Sequence, residues 1–472
     1  MSKEQMRESL NNNRLEYVLF HLGNHMTISP EIKASFCFSE GKDSSGFREK
    51  IVFLLSSDEL NPGKVPSHLG IPVLFPVLKT DKIFDEDENG NLIFCHDLLK
   101  SIFYLLSGYQ EYSNPKSSDN LRRFSFQDSV QYKLGFIEKP IVNYYFDFIA
   151  DGIERYCQKR NILFQRKRLF PNYGFLLSHD IDKVDTYDFN YVVYKFKELV
   201  GLRKNKLSFK KKFGLFFKGM LQFTNLQKKT NPYWNFDFLR QVERERGFKS
   251  TFYFLDQGIR HSDAYYSFDE ERMIKLFQFL QDEGCEIGLH GTVDSISNES
   301  KMSASLQKLE RTSKTKVAGA RQHRLLWKHP STAAIQIKCG LQYDTTLGFA
   351  AHEGFRNSYC LPFKLYDFEN EKTLTIWELP LNAMDVTLFA YQKYSTEIAR
   401  HRCRELIDEI KKFGGVFNLL FHNSAFDEVT FPGITKFYLD LLDHVFNAHA
   451  ENILAKDLII KVEGINKNNP LN

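Results

Sequence analysis

The stretch Phe175-Leu176-Leu177-Ser178-His179-Asp180-Ile181-Asp182 runs from apolar residues into two carboxylates. Read as a strand over 174–181, residues i and i+2 share a face, so Asp180 and Asp182 converge on one point. Two carboxylates at the mouth of a buried strand are costly unless a cation or a proton separates them. A metal ion would resolve the cost, and His290 and His422 close two further strand-like runs, Glu286 to His290 and Val416 to His422. Acid, acid, histidine and histidine at strand ends point to one site drawn from distant parts of the chain. By the same alternation His179 faces away from both aspartates, as a packing residue or one that supports the site from behind.

Outward from this stretch, the sequence from about 170 onward alternates between strand-like and helix-like runs. The apolar patterns predict strands over 174–181, 250–255, 286–291, 316–325, 342–347, 374–382 and 416–422. Helices are expected between them, at 235–246, 268–283, 299–312, 393–413 and 433–448. Such alternation argues for a parallel sheet with helices outside. Seven strands with polar residues at their C-terminal ends suit a deformed (β/α) barrel, in which active sites collect at that rim.

The chain has 472 residues, which implies more than one domain. Residues 1–135 read as a smaller α/β accessory domain, with strand-like runs at Ser35-Phe38, Lys50-Leu55 and Ile71-Phe75 and a helix from His96 to Gly108; they hold no metal-ligand spacing and no phosphate loop. Pro140 opens a helix within a connector over 136–170, and the barrel is expected over 171–460. Apolar content of 42% and charged content of 26% are ordinary for a globular protein. A formal charge of +4 gives no argument for nucleic acid. The polar start MSKEQMRESLNNN has no apolar region behind it, and no stretch approaches the roughly 18 uncharged apolar residues of a membrane span. Seven cysteines without a Cys-x-x-Cys pair fit a reducing cytoplasm.

One segment stands apart. Between Glu198 and Asp237 there is no acidic residue, whereas Arg203, Lys204, Lys206, Lys210, Lys211, Lys212, Lys218, Lys228 and Lys229 are basic and are interleaved with apolar residues. A basic amphipathic helix over 203–223 has three readings: a solvated helix packed on the barrel, peripheral contact with an anionic membrane at its inner face, or a surface for a partner or polyanionic substrate.

Five motifs follow one another: Ser-His-Asp-Ile-Asp at 178–182, Glu-Ile-Gly-Leu-His-Gly at 286–291, Gly-Ala-Arg-Gln-His at 319–323, Tyr-Asp-Thr-Thr-Leu-Gly at 343–348 and Leu-Phe-His at 420–422. In this order they resemble the polysaccharide deacetylase family, the NodB-homology group of carbohydrate esterases, over roughly 170–450. The first part of the chain resembles the accessory domain of some bacterial members. The resemblance implies metal-dependent removal of an N- or O-linked acetyl group from a carbohydrate or a sugar-containing precursor of a surface polysaccharide. It implies a divalent metal, zinc first, with Mn, Fe, Co or Mg as alternatives. It makes Asp180 the general base, Arg321 its partner, Asp182 and His290 metal ligands, and His422 the proton donor to the leaving group. These roles are chemically coherent, since carboxylate and neutral imidazole suit zinc and an imidazolium can deliver a proton.

The chain departs from the family at one ligand. The family's His-x-x-x-His reads His290-Gly-Thr-Val-Asp294 here, so Asp294 stands in the second ligand position. Asp294 is either that ligand, giving a harder site, or the cap of the next helix. His323, two residues past Arg321, is the substitute ligand or a substrate-binding or structural histidine. Trp327, Asp344 and Asn423 are further candidates for substrate binding; Tyr343, Trp377 and Asp385 also sit near strand ends, where core packing is the competing reading. The departure leaves two other functions open: a non-catalytic carbohydrate-binding protein with a degenerate metal site, and a hydrolase of a non-sugar amide on the same fold.

Overall fold

The computed structural model describes residues 10–467 except 41–45, 116, 188, 205–206, 225–230, 259–262 and 429–430. Lys206, Lys228 and Lys229 of the basic segment, and the first nine residues of the polar start, therefore lie outside the described residues.

The protein is mixed α/β. Its first part carries β1 (Phe36–Glu40), β2 (Ile51–Leu55), a short antiparallel pair β3 (Ser67–His68) and β4 (Ile71–Pro72), then β5 (Phe84–Glu86) and β6 (Leu92–Phe94). A four-stranded sheet forms in the order β1-β2-β6-β5, parallel except for the last pair. Helix Ile141–Arg160, within the expected connector, packs on this sheet, and its Val142 N–H and Asn143 side chain bond to Ser358 and Cys360 far along the chain. One contiguous buried core runs from Tyr17 to Val462, so the two parts share a hydrophobic interior.

The second part holds β7 (Gly174–Ile181), β8 (Ser250–Leu255), β9 (Glu286–Gly291), β10 (Gly319–Gln322), β11 (Tyr343–Asp344), β12 (Phe363–Asp367), β13 (Lys372–Glu378), β14 (Ala383–Met384), β15 (Val416–Leu420) and β16 (Glu451–Asn452). Nine of these form a curled sheet in the order β12-β13-β11-β10-β9-β8-β7-β15-β14, and β16 pairs with β7. All pairs are parallel except β12 with β13. All eight residues of β7 are buried, as expected of a strand with parallel neighbours on both sides and helices over its face.

The seven predicted strands are all present, with three others beside them. Those over 316–325, 342–347 and 374–382 are shorter than their apolar runs, because turns follow directly. After Gln322 the chain enters a tight turn in which Arg324 and Leu325 adopt positive φ angles of 62° and 54°. The two ends of the sheet are linked by residues 379–382: Leu379 donates to Asp344 O at 2.8 Å on one side, and Asn382 donates to Asn418 O at 3.1 Å on the other. Asn418 Nδ2 reaches Leu379 O at 3.1 Å and Thr345 Oγ1 at 2.9 Å, which draws the curl together.

Inside the curl the sheet is filled by rings. A Cβ on Gly319 would stand 2.1 Å from the Tyr343 ring, so only glycine admits that ring against β10. Tyr343 donates to Glu286 at 2.8 Å, and its hydroxyl lies 3.2 Å from that of Tyr253. The Arg321 guanidinium rests 4.6 Å above the Tyr253 ring. This stack is the floor on which the site is built.

Candidate metal centre

Strand alternation places Asp180 and Asp182 at the C-terminal end of β7, facing His290 from β9. The Asp180 carboxylate is buried and accepts from Arg321 Nη1 at 2.8 Å. Arg321, fully buried, is held by Ser178 Oγ at 3.0 Å and by Thr345 O at 3.0 Å. Burial would raise the Asp180 pKa, but Arg321, His290 and His422 together outweigh it and hold the carboxyl below its ordinary range.

His290 Nδ1 faces Arg321 O at 3.0 Å. A carbonyl only accepts, so Nδ1 carries the proton and Nε2 presents its lone pair inward. That Nε2 lies 3.4 Å from Asp182 Oδ1 and 3.6 Å from Asp180 Oδ2. His323, at the start of the turn after β10, brings its Nε2 to 3.8 Å from Asp182 Oδ2, with Asp263 Oδ1 3.9 Å behind its Nδ1. One donor atom from each of Asp182, His290 and His323 lies within 4.8 Å of the others. Asp182 Oδ1 and His323 Nδ1 are buried without a hydrogen-bond partner. A carboxylate that faces two imidazoles and keeps one buried oxygen unbonded is the arrangement a divalent cation satisfies, so the residues fit the group that the sequence implies. Burial opposes the charge on Asp182, but the neighbouring rings of His323, His290 and His422 favour it and lower its pKa far below the ordinary value.

His422 follows β15 and completes the ring. Its backbone N–H and its Nδ1 both bond Asp385, at 2.9 and 2.7 Å, and its Nε2 lies 3.9 Å from Asp182 Oδ2. Burial pulls its pKa down, yet Asp385, Asp182 and Asp180 together raise it to about 10. The ring is therefore an imidazolium with its second N–H aimed into the pocket.

Four sequence expectations meet a different geometry. Asp294 does not join the cluster: its carboxylate pairs with Lys301 Nζ at 2.8 Å, because the chain turns at Ser295–Ser297 and carries it onto the rim. His323 takes the place in the cluster foreseen for Asp294, so one carboxylate and two imidazoles replace the harder two-carboxylate set. Asp344 is wholly buried beneath the site, bonded by Gln336 Nε2 at 2.5 Å and Thr346 N at 2.7 Å, which leaves nothing for a substrate. Asn423 is also buried, and spends its amide on Lys183 O at 2.7 Å and Tyr233 O at 2.8 Å. Trp327 lines a neighbouring cleft and not the pocket itself.

The pocket measures about 360 Å³, within the range of small-molecule sites, and is lined by Asp180, Asp182, His290, His323, His422, Arg123 and Tyr391 among others. Arg123 and Tyr391 carried no sequence signal. Arg123 Nη1 donates to Arg324 O at 3.2 Å, in the turn that presents His323, and Arg123 Nη2 donates to Tyr391 OH at 3.1 Å while pairing with Asp119 Oδ2 at 2.6 Å. A cleft of about 1210 Å³ adjoins the pocket, with Leu121 and Arg324 bordering both. Tyr109, Tyr112, Phe124 and Trp327 line it, from the first part of the chain and from the turn after β10. A second acidic group, Glu138, His352 and Glu353, also has converging donors, but Arg402 pairs with both glutamates and supplies their counter-charge.

Residues 6–158 match a family of unknown function, DUF7033. No curated protein matches the sequence. Among solved structures the chain is similar to an assigned polysaccharide deacetylase of Mycobacterium smegmatis, at 14% identity over 63% of this chain and 91% of that one, with a TM-score of 0.40. A second, assigned likewise in Pseudomonas aeruginosa PAO1, shares 12% over 61% and 89%, with a TM-score of 0.38. A CE4 family pseudoenzyme from Bacillus anthracis shares 8% over 61% and 66%, with a TM-score of 0.31. Likeness at that level assigns no residue of this chain a role.

Proposed function

We propose that this protein is a metal-dependent hydrolase that removes an acetyl group, N- or O-linked, from a carbohydrate. The observation that carries the reading is the meeting of three groups in one pocket: donors of Asp182, His290 and His323 within 4.8 Å of one another, the Asp180–Arg321 pair, and the His422–Asp385 pair. A bound divalent cation would supply Lewis acidity there, polarising an acyl oxygen and lowering the pKa of water toward ~7. Asp182, His290 and His323 would hold it. Imidazole nitrogen in two of three positions suits zinc, with cobalt or iron next.

The protein's own groups divide the proton work. Asp180 stands beside the cluster with one oxygen on Arg321 and the other turned inward, placed to take a proton from the attacking water. Held below the ordinary carboxyl range, it is too weak a base for free water and is matched to an acidified one. His422, protonated and locked by Asp385, is placed to give a proton to the departing amine or alkoxide. Arg321 keeps Asp180 ionised and fixed, and so acts through it. The adjoining aromatic cleft favours a saccharide longer than one sugar, with Tyr112 and Phe124 half-buried on its lining. Seven free cysteines, five of them buried, favour a reducing compartment such as the cytoplasm, and hence a biosynthetic precursor as substrate.

Elemental analysis of the purified protein, with acetate release assayed on a panel of acetylated mono- and oligosaccharides, tests the reading. Stoichiometric metal that is lost in Asp182→Ala, and acetate release that needs it, are expected. A protein that binds such sugars without metal, equally well as wild type and as Asp180→Asn, would establish the non-catalytic reading instead.

A further inference from the structure

Helices Phe189–Leu199 and Phe209–Phe223 form a hairpin inserted directly after β7, and the site does not use it. They meet through Tyr191, which lies where a Cβ on Gly219 would stand at 2.8 Å, and through Phe196 against Phe216 at 5.7 Å. That contact leaves most of the second helix uncovered. Nine of the nineteen large apolar side chains exposed among the described residues lie between Tyr194 and Phe223. On the second helix they are Phe209, Phe213, Phe217, Met220 and Phe223, from 39% to 69% exposed.

These five positions form one stripe. At about 100° per residue they fall within an arc of about 120°, and Lys210 and Lys212 stand on its two flanks. Arg203, Lys204, Lys211 and Lys218 add charge, and no acidic residue lies between Glu198 and Asp237 to offset it. A stripe of rings edged by lysines buries apolar surface while its ammonium groups stay in a polar layer of opposite sign. A second copy of the same face would oppose lysines to lysines and is disfavoured by charge.

The hairpin is also tied to the pocket. Its stems, Lys183–Thr186 and Asn231–Asn235, are joined by Asn231 Nδ2 to Val184 O at 2.6 Å. Asn423, next to His422, bonds both stems through Lys183 O and Tyr233 O. The hairpin therefore springs from the loop beside His422, on the side of the chain that carries the metal pocket.

We infer that the stripe Phe209–Phe223 docks the protein peripherally on an anionic lipid bilayer, and that its substrate sugar is presented from that surface. The second half of the inference rests on the function proposed above; the docking itself does not. No helix among the described residues is long and apolar enough to cross a membrane, so the contact lies in the interface plane.

Co-flotation of the full chain with vesicles tests it, without any sugar present. Binding to phosphatidylglycerol-containing vesicles at low ionic strength, at least tenfold stronger than to pure phosphatidylcholine, is expected, with weakening in high salt. The triple variant Phe213→Ser, Phe217→Ser, Phe223→Ser should lose at least tenfold of that binding while keeping its far-UV spectrum and metal content. Lys210→Glu with Lys212→Glu should lose it too, without touching the apolar stripe. Equal behaviour of wild type and both variants, or no binding to the anionic vesicles, overturns the inference. Self-association abolished by the same serine variants would reassign the stripe to a second copy. Loss of acetate release with vesicle binding intact would count against the proposed function and leave the docking standing.

Discussion

The two faces of β7 carry two ionic clusters one residue apart, and they differ in completeness. On one face, His179 bonds Phe421 O and Glu243 Oε1, both at 2.8 Å, and Glu243 is further bonded by Arg240, by Ser250 at 2.7 Å and by Tyr438 at 3.2 Å. On the other, Asp180 is paired but Asp182 Oδ1 and His323 Nδ1 are left without partners. Both clusters are built on the same strand. The first pairs both oxygens of its glutamate within the protein and holds the fold; the second leaves Asp182 Oδ1 unbonded where donors of Asp182, His290 and His323 converge. Convergence of metal-ligating donors on one point, and not burial of charge as such, separates a site from a scaffold.

Substitutions on the two faces should therefore fail differently. The largest effect belongs to Asp182→Ala: metal content measured by elemental analysis falls to background, and acetate release goes with it. His323→Ala should follow closely, with metal lost at dilutions where wild type retains it; full retention would return the third position to another residue. Asp180→Asn should keep its metal and lose about 10²–10⁴-fold in kcat/KM, normalised to folded protein because Arg321 loses its counter-charge.

Across the strand, Glu243→Gln should leave metal content unchanged and lower unfolding free energy by about 3–5 kcal/mol in denaturant titration, since it strips a buried pair of one partner. The pH dependence has a definite sign. Burial raises the Glu243 pKa, but His179 and Arg240 lower it more, so its folded value lies below 4.5. Its contribution is present above that unfolded value and is lost as pH falls below it, so the variant should show a shallower acid limb of stability. The smallest effect is Asp294→Ala, within about 0.5 kcal/mol of wild type and with metal intact, because its half-exposed pair with Lys301 contributes little. A metal-free Asp294→Ala protein would merge the two classes that this comparison keeps apart.

The sequence made the β7 side of the pocket legible because strand alternation is local: two residues of spacing suffice to aim Asp180 and Asp182 together and His179 away. Likewise β8 and β9 begin and end where their apolar runs do. What escaped was set by the chain beyond the strands. His323 reaches the cluster from a turn and not from a continuing strand, and its spacing of two from Arg321 does not describe that route. Asp294 has the right spacing from His290 for a helix, but the chain there forms no continuous helical turn. Asp385 was one polar residue among several at strand ends until its bonds to His422 distinguished it. Arg123 and Tyr391 lie in stretches with no motif, and nothing short of the folded chain brings them to the pocket.

The bond from Arg123 to the carbonyl of Arg324 has a practical corollary. It crosses 201 positions of sequence to brace a turn held at two positive φ angles, one residue beyond His323. The instructions for the pocket thus extend far upstream of the residues that would grip an ion. Expressing 171–460 alone severs that brace and bares the interior that the early strands cover. A weakened grip on metal in such a fragment would report the cut, not the chemistry.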